Sequence, residues 1–267
     1  MYALRRMRYS LFFGKYAPDQ ALSETAASVK SHFFLANPAS QAVYQYLTRF
    51  VVETCRAVLG RRPRELHVLD WGTGKGHVAY FLNKLGVLTD CCDINRDAED
   101  SAFYGETPVL DRFRIRVKPL KHAYALPYAS SSMDAVLSFG VLEHVPCIRE
   151  SLREINRVLK PGGLFFCLFL PYTFSWTQRF AHLRGDHYHP LLYSKRKVHR
   201  LLHGAHFELM DLWHRQLLPK NSTVYPHPHA FESLDLFCTE FTPLKYLATN
   251  IEFVARKTSP ETNRRAT

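Results

Sequence analysis

The sequence predicts an α/β fold, and three observations carry that prediction. An apolar run, Leu66, Val68 and Leu69, stops at Asp70 and gives way to Gly72, Gly74 and Gly76, the pattern of a buried strand entering a tight turn before a helix. A second run over residues 86–93 ends in another acid, Asp93, so strand, helix and strand alternate. The length of 267 residues with 46% hydrophobic content suits one α/β domain with insertions, or one domain with a small cap.

Taken in order, residues 1–18 carry Arg5, Arg6, Arg8 and Lys15 without an acid, around Leu11, Phe12 and Phe13. They read as a basic, partly disordered lead-in, with a transit peptide or a membrane-surface helix as the alternative. Over residues 37–59, Val43, Tyr46, Leu47, Phe50, Val51 and Val58 recur at helical spacing, which predicts a helix packed on the sheet. The helix after the glycine turn is expected over residues 77–85, another over 97–104, and a third strand over 113–117. There Arg112, Arg114, Arg116 and Lys118 alternate with Phe113, Ile115 and Val117, which suits an edge strand with one solvated basic face. A helix over 194–202 and strands over 206–212 and 250–255 complete the domain. The expected division is a lead-in at 1–36, a domain at 37–257 with substrate-covering insertions near 171–193 and 213–245, and a disordered tail at 258–267. The Pro-rich stretch 218–229 has the composition of an ordered loop or lid.

No apolar run approaches the ~20 residues a membrane-spanning helix requires. Cys55, Cys91, Cys92, Cys147, Cys167 and Cys238 include no C-x-x-C pair and read as reduced, mostly buried cysteines, which points to the cytoplasm. The net charge of +11 invites anionic partners. Between Arg179 and His206 the cations Arg179, Arg184, Lys195, Arg196, Lys197 and Arg200 interleave with Phe180, Tyr188 and Tyr193, a mixture suited to phosphates and bases, to a phosphorylated small molecule or to an anionic membrane surface. No RNA-binding module accompanies it, so nucleic acid ranks second.

The glycine turn carries the chemistry. A phosphate-binding loop needs a hydroxyl after its lysine, and Lys75 is followed by Gly76. A dinucleotide fingerprint needs a third glycine where His77 stands, which weakens a nicotinamide-binding oxidoreductase. What remains is an acid two residues before the first glycine, alternate glycines, and a second acid, Asp93, at the end of the next strand.

On those residues the chain resembles the class I S-adenosylmethionine-dependent methyltransferases, in their substrate-diverse, small-molecule branch. Val68 to Gly76 is similar to the family's first motif. The resemblance continues through Ala123 to Tyr128, Ser132 to Phe139, Gly140-Val-Leu-Glu-His-Val and Leu152 to Phe166. It implies a Rossmann-like, doubly wound, mainly parallel seven-stranded sheet with a substrate-covering insertion. It also implies S-adenosylmethionine as cofactor, held by Asp70, Gly72, Thr73, Gly74, Gly76, Asp93, Ile94, Ala123, Tyr124 and Gly140. Asp70 would orient the methionine amino group and Asp93 the ribose hydroxyls. Where the family usually places an acid to hold the adenine amine this chain has His122, so backbone near Ala123 or Tyr124 is expected to serve.

The implied activity is methyl transfer to a small-molecule acceptor, on an oxygen of an acidic or sugar-containing metabolite. The alternatives are an RNA-directed methyltransferase and a cofactor-binding regulatory subunit without turnover. A hydroxyl acceptor needs a general base. His144, by analogy at the end of strand four, is one candidate, and His187 and His189 in the insertion are the others. No metal is expected: His187-x-His189 and His227-x-His229 have ligand-like spacing but no paired third ligand, and in His199-x-x-x-His203 an arginine stands where a zinc protease needs Glu. Those two read as solvated helix histidines.

Overall fold

The sheet follows from the apolar runs. Its strands are β1 (His67–Trp71), β2 (Leu88–Ile94), β3 (Val117–Leu120), β4 (Met133–Phe139), β5 (Leu159–Pro171), β6 (Phe207–Arg215) and β7 (Asn250–Lys257). Their order is β3-β2-β1-β4-β5-β7-β6, a seven-stranded doubly wound arrangement. β2 pairs in parallel with β1 and β3, β5 in parallel with β4, and β7 runs antiparallel between β5 and β6. The computed structural model describes residues 2–14, 16–29, 33–94, 107–185, 189, 191–217 and 228–258. Contacts divide these into two units, the first ending at His122 and the second beginning at Ala123.

In the first unit the long helix α4 (Pro38–Leu59) starts where Asn37 accepts from the Ala39 amide and ends at Gly60, whose φ of 68° permits a left-handed cap. Val43, Tyr46, Leu47, Phe50 and Val51 are buried along it, as the periodicity requires, while Val58 is only half-buried. The lead-in expected to be partly disordered forms helices. These are α1 (Tyr2–Phe12), α2 (Gln20–Ala27) and α3 (Phe33–Ala36). Leu4 and Arg8 of α1 are buried, and α1 packs on α4. Asp19 caps α2 through the Leu22 amide and receives the Tyr80 hydroxyl at 3.0 Å and the Lys84 ammonium, both from α5 (His77–Lys84). Leu22, Leu35, Ala79, Phe81, Val109 and Leu110 then share one apolar cluster.

The third strand is displaced from its expected place. Residues Pro108–Arg112 form α6, Phe113 caps it, Arg114 takes a φ of 53°, and pairing with β2 begins only at Val117. The strand does lie at the sheet edge, where Pro119 lacks a donor without harm. The helix expected over 97–104 lies outside the described residues, as does most of the stretch at 218–229 and the tail from 259.

The second unit holds β4, which is buried over six of its seven residues, and β5, whose Phe165, Phe166 and Leu168 are wholly buried. The helix α7 (Ile148–Val158) precedes β5, and the turn at Pro161-Gly162-Gly163 appears as an excursion of β5, Leu159 pairing with Met133 and Leu164 with Ala135. The helix α9 (Lys195–Gly204) is capped by the Ser194 hydroxyl on the Lys197 amide. Within the expected substrate-covering insertions stand two helices that no periodicity in the sequence predicts, α8 (Trp176–Leu183) and α10 (Pro228–Phe241). Trp176, Phe180 and Leu183 of α8 are exposed, as are Leu234, Phe237 and Phe241 of α10, so neither helix shows the simple buried stripe by which periodicity identifies one. Among the described residues no helix is long and apolar enough to cross a membrane.

Candidate active site

In the first unit the candidate residues gather at the end of β1 and the turn after it. β1 pairs with β2 so that Asp70 lies beside Cys91 and Trp71 beside Cys92. The amides of Gly72 and Thr73 both donate to the Cys92 carbonyl, at 2.9 and 3.2 Å, and the Thr73 hydroxyl closes back on the Asp70 carbonyl at 2.8 Å. Trp71 is buried beneath the turn. All three glycines hold positive φ, at 75°, 53° and 82°. They do so for different reasons. A Cβ on Gly76 would sit 2.2 Å from Leu110 Cδ2, so this glycine makes room for α6, whereas one on Gly74 would meet nothing nearer than 4.0 Å. Gly74 therefore leaves the turn open to a ligand, and Gly76 lets the turn pack.

Two carboxylates face this turn. Asp93 accepts from the Gly74 amide at 2.6 Å through one oxygen and from the Ile94 amide at 2.8 Å through the other. A carboxylate has about four acceptor positions, more than these two amides fill. Asp70 is wholly buried, and its Oδ2 has no hydrogen-bond partner. Burial, and after it the charge of Asp93, push its carboxyl up to about 7, with the Thr73 hydroxyl working against them. A buried carboxylate beside a second acid and an open glycine turn fits a ligand carrying an ammonium and two ribose hydroxyls. These residues thus fit the group that the sequence resemblance implies.

The other candidate residues belong to the second unit. The segment from Ala123 to Tyr128 is held by one clasp. Glu154 accepts the Leu126 amide at 3.0 Å, and Arg157 donates to the Leu126 and Tyr128 carbonyls at 3.2 and 2.9 Å. Leu126 is buried, while Tyr124 remains 39% exposed. After β4 the chain turns at Gly140, with a φ of 66° and its amide on the Leu168 carbonyl. The wholly buried Tyr193 fixes the next residues by donating its hydroxyl to the Leu142 carbonyl at 3.0 Å.

That turn presents Glu143 and His144. Glu143 is 1% exposed, its Oε2 has no partner, and burial pushes its carboxyl up to about 8. Its Oε1 lies 3.9 Å from His144 Nε2 and 4.0 Å from His189 Nδ1, and the two imidazole centres are 5.4 Å apart. Burial also lowers the pKa of His144, which keeps it neutral and able to accept a proton. Two of the three base candidates, His144 and His189, are therefore brought together, and His187 lies outside the described residues. In the sequence Glu143 stands out only as the neighbour of His144. The expectation that the histidines of the insertion lack a carboxylate is corrected for His189, because the fold places Glu143 against it. His199 and His203 are exposed on α9, as solvated helix histidines should be.

Cations gather elsewhere in the same unit. Arg149 and Arg153 of α7 and Lys197 and Arg200 of α9 line a cavity of about 490 Å³. All six cysteines are free, four of them buried.

Comparisons with known proteins place the chain in a family. The family model described as a methyltransferase domain matches residues 43–212. The ubiquinone/menaquinone biosynthesis C-methyltransferase UbiE of Nitrobacter hamburgensis is 38% identical over 113 residues, 40% of this chain and 44% of that protein. The protein of the same name from Bartonella tribocorum is 41% identical over 135 residues, 47% of this chain and 49% of its own. The chain thus spans under half the length of these relatives. A structure titled a putative sarcosine dimethylglycine methyltransferase from Galdieria sulphuraria superimposes with a TM-score of 0.54 at 19% identity, covering 82% of this chain and 86% of that one, which shows the shared fold. With a family match over most of its length, and with the glycine turn and paired acids that family uses, the chain belongs to the methyltransferase domain family of S-adenosylmethionine-dependent, class I proteins.

Proposed function

We propose that the protein transfers a methyl group from S-adenosylmethionine to a small-molecule acceptor, on an oxygen of an acidic or sugar-containing metabolite. The observation that carries the cofactor half is the buried Oδ2 of Asp70, without a partner at the mouth of an open glycine turn. When bound, S-adenosylmethionine supplies a methyl on a positively charged sulfur, and its transfer forms one bond to the acceptor as the sulfur–carbon bond breaks.

The protein's own part is binding, alignment and proton removal. Asp70 takes the methionine ammonium, directly or through water, and in doing so regains a countercharge for its buried carboxylate. Asp93 receives the ribose hydroxyls, with Thr73 and Ile94 beside it. Backbone groups near Ala123 or Tyr124 serve the adenine, since His122 stands where the family usually places an acid. On the acceptor side a hydroxyl must lose its proton, and His144 and His189, beside Glu143, supply two imidazoles able to take it.

The relatives' printed description as C-methyltransferases favours a second reading, in which a ring carbon attacks after a neighbouring hydroxyl is ionised. The same cluster then removes the same kind of proton. Titration calorimetry with S-adenosylmethionine and S-adenosylhomocysteine tests the cofactor half: micromolar binding is expected, and its absence in folded protein overturns the reading. Mass spectrometry of hydroxylated acceptors incubated with enzyme and cofactor then distinguishes oxygen from carbon, since only an oxygen-linked methyl is released by ether cleavage.

A further inference from the structure

We propose that Glu143, His144 and His189 form a binding site for a divalent cation of the zinc class, with an open coordination position for an oxygen of the acceptor. The donor set is two imidazole nitrogens and one carboxylate, a combination that suits zinc and its first-row neighbours and leaves room for a further ligand. The three donor atoms all lie within 4.8 Å of one another. A tetrahedral zinc ion with bonds near 2.1 Å holds its ligands roughly 3.4 Å apart. Glu143 Oε1 is 3.9 and 4.0 Å from its two imidazole neighbours, about half an ångström beyond that spacing, and the imidazole donors close to it as their side chains rotate inward on an ion.

Burial supplies the second argument. A carboxylate out of water requires a countercharge or a proton. Among the described residues no lysine or arginine pairs with Glu143; its ion-pair neighbours are the two histidines, and Cys167 and Tyr193 also face it. Among the described residues its second oxygen has no hydrogen-bond partner. A cation between Oε1 and the imidazoles supplies the carboxylate with a countercharge. The site is also accessible, since the side chains of His144 and His189 are 37% and 25% exposed. The supporting turn is held in place: Tyr193 fixes Leu142, and Gly140 takes the φ of 66° at which the chain turns.

The consequence deepens the acceptor reading on which the role of the ion rests. A cation at this place lowers the pKa of a hydroxyl that binds it, so the proton leaves to solvent and the oxygen keeps its electron pair for the methyl group. The ion's binding itself requires no acceptor and no cofactor.

The test is titration of the full, chelator-stripped chain with cobalt(II), followed by its visible absorption, and with zinc, followed by calorimetry. The wild type is expected to bind one equivalent, with the cobalt spectrum of a four- or five-coordinate nitrogen–oxygen site. Glu143→Gln and His189→Ala should weaken it by about tenfold or more, with circular dichroism and melting temperature confirming that each variant folds. His199→Ala with His203→Ala should leave it unchanged. Zinc affinity retained in Glu143→Gln and lost in the α9 double variant overturns the proposal, as does the absence of a stoichiometric site in folded wild type. S-adenosylhomocysteine titrated into the same samples separates the two readings: metal without nucleoside binding removes the methyltransferase reading and keeps the ion site, and nucleoside without metal does the reverse.

Discussion

The turn after β1 and the turn after β4 have much in common. Each follows a buried parallel strand, begins with a glycine at positive φ, and carries a buried acid whose carboxyl is raised and one of whose oxygens has no partner. They differ in what surrounds the acid. Asp70 faces a second carboxylate, Asp93, which the Gly74 amide holds, an environment that calls for a cationic ligand with hydroxyls. Glu143 faces two imidazoles, which can take a proton or share a metal ion. The comparison teaches that the same buried carboxylate is read out by its neighbours: like charge leads to an ammonium, and nitrogen donors lead to proton or cation chemistry.

The largest effects should separate the two turns. On the proposed role of Asp93, Asp93→Ala would remove charge-assisted hydrogen bonds to both ribose hydroxyls, about 1.5–3 kcal/mol each, so S-adenosylhomocysteine affinity should fall at least about 100-fold by calorimetry. Glu143→Gln should leave that affinity within a factor of about two while lowering kcat on the identified acceptor by about 100-fold. Loss of nucleoside binding in Glu143→Gln would break the distinction between the two turns.

A smaller and more diagnostic effect concerns pH. Asp70 binds an ammonium only when ionised, so affinity should rise as pH passes through about 7 and then level off, with a proton released on binding below that point. In the ligand-free protein the raised carboxyl makes the folded state hold its proton longer than the unfolded chain does. Stability should therefore fall as pH rises from the ordinary carboxylate range toward 7. Asp70→Asn should abolish both trends and weaken binding by about tenfold. Calorimetry in buffers of different ionisation enthalpy counts the proton.

Within the first turn the glycines can be set against each other. Gly76→Ala drives a Cβ into Leu110 at a φ of 82° and should cost about 2–3 kcal/mol, seen as a lowered melting temperature and relieved in part by Leu110→Ala. Gly74→Ala meets no atom within van der Waals contact and should cost about 1 kcal/mol from its φ alone, while cofactor affinity falls because the open face is filled. The smallest effect is expected from His199→Ala, an exposed helix position, where stability should change by no more than about 0.5 kcal/mol.

Much of the first turn is legible in the order of residues alone. The alternate glycines, Asp70 and Asp93 lie within one strand, turn, helix and strand, so chain connectivity brings them together. The 3.6-residue stripe of α4, its Asn37 cap and its Gly60 terminus are likewise local signals. The third strand departs from its expected place because alternation of basic and apolar residues persists through the end of α6 and the left-handed Arg114. The helices α8 and α10 leave no clear periodic signal because several of their large apolar residues face outward, which blurs the period that burial normally imposes.

What the sequence determined by itself was the α/β order of elements and the glycine turn after β1, whose residues are neighbours along the chain and whose backbone demands are written as glycines and acids at fixed spacing. What only the tertiary structure decided was the partnership of Glu143 with His189. These residues are far apart in sequence, and no propensity or period links them. They meet because the turn after β4 and the segment after α8 fold back onto one another, and the same folding removes Glu143 from water and makes its neighbours matter.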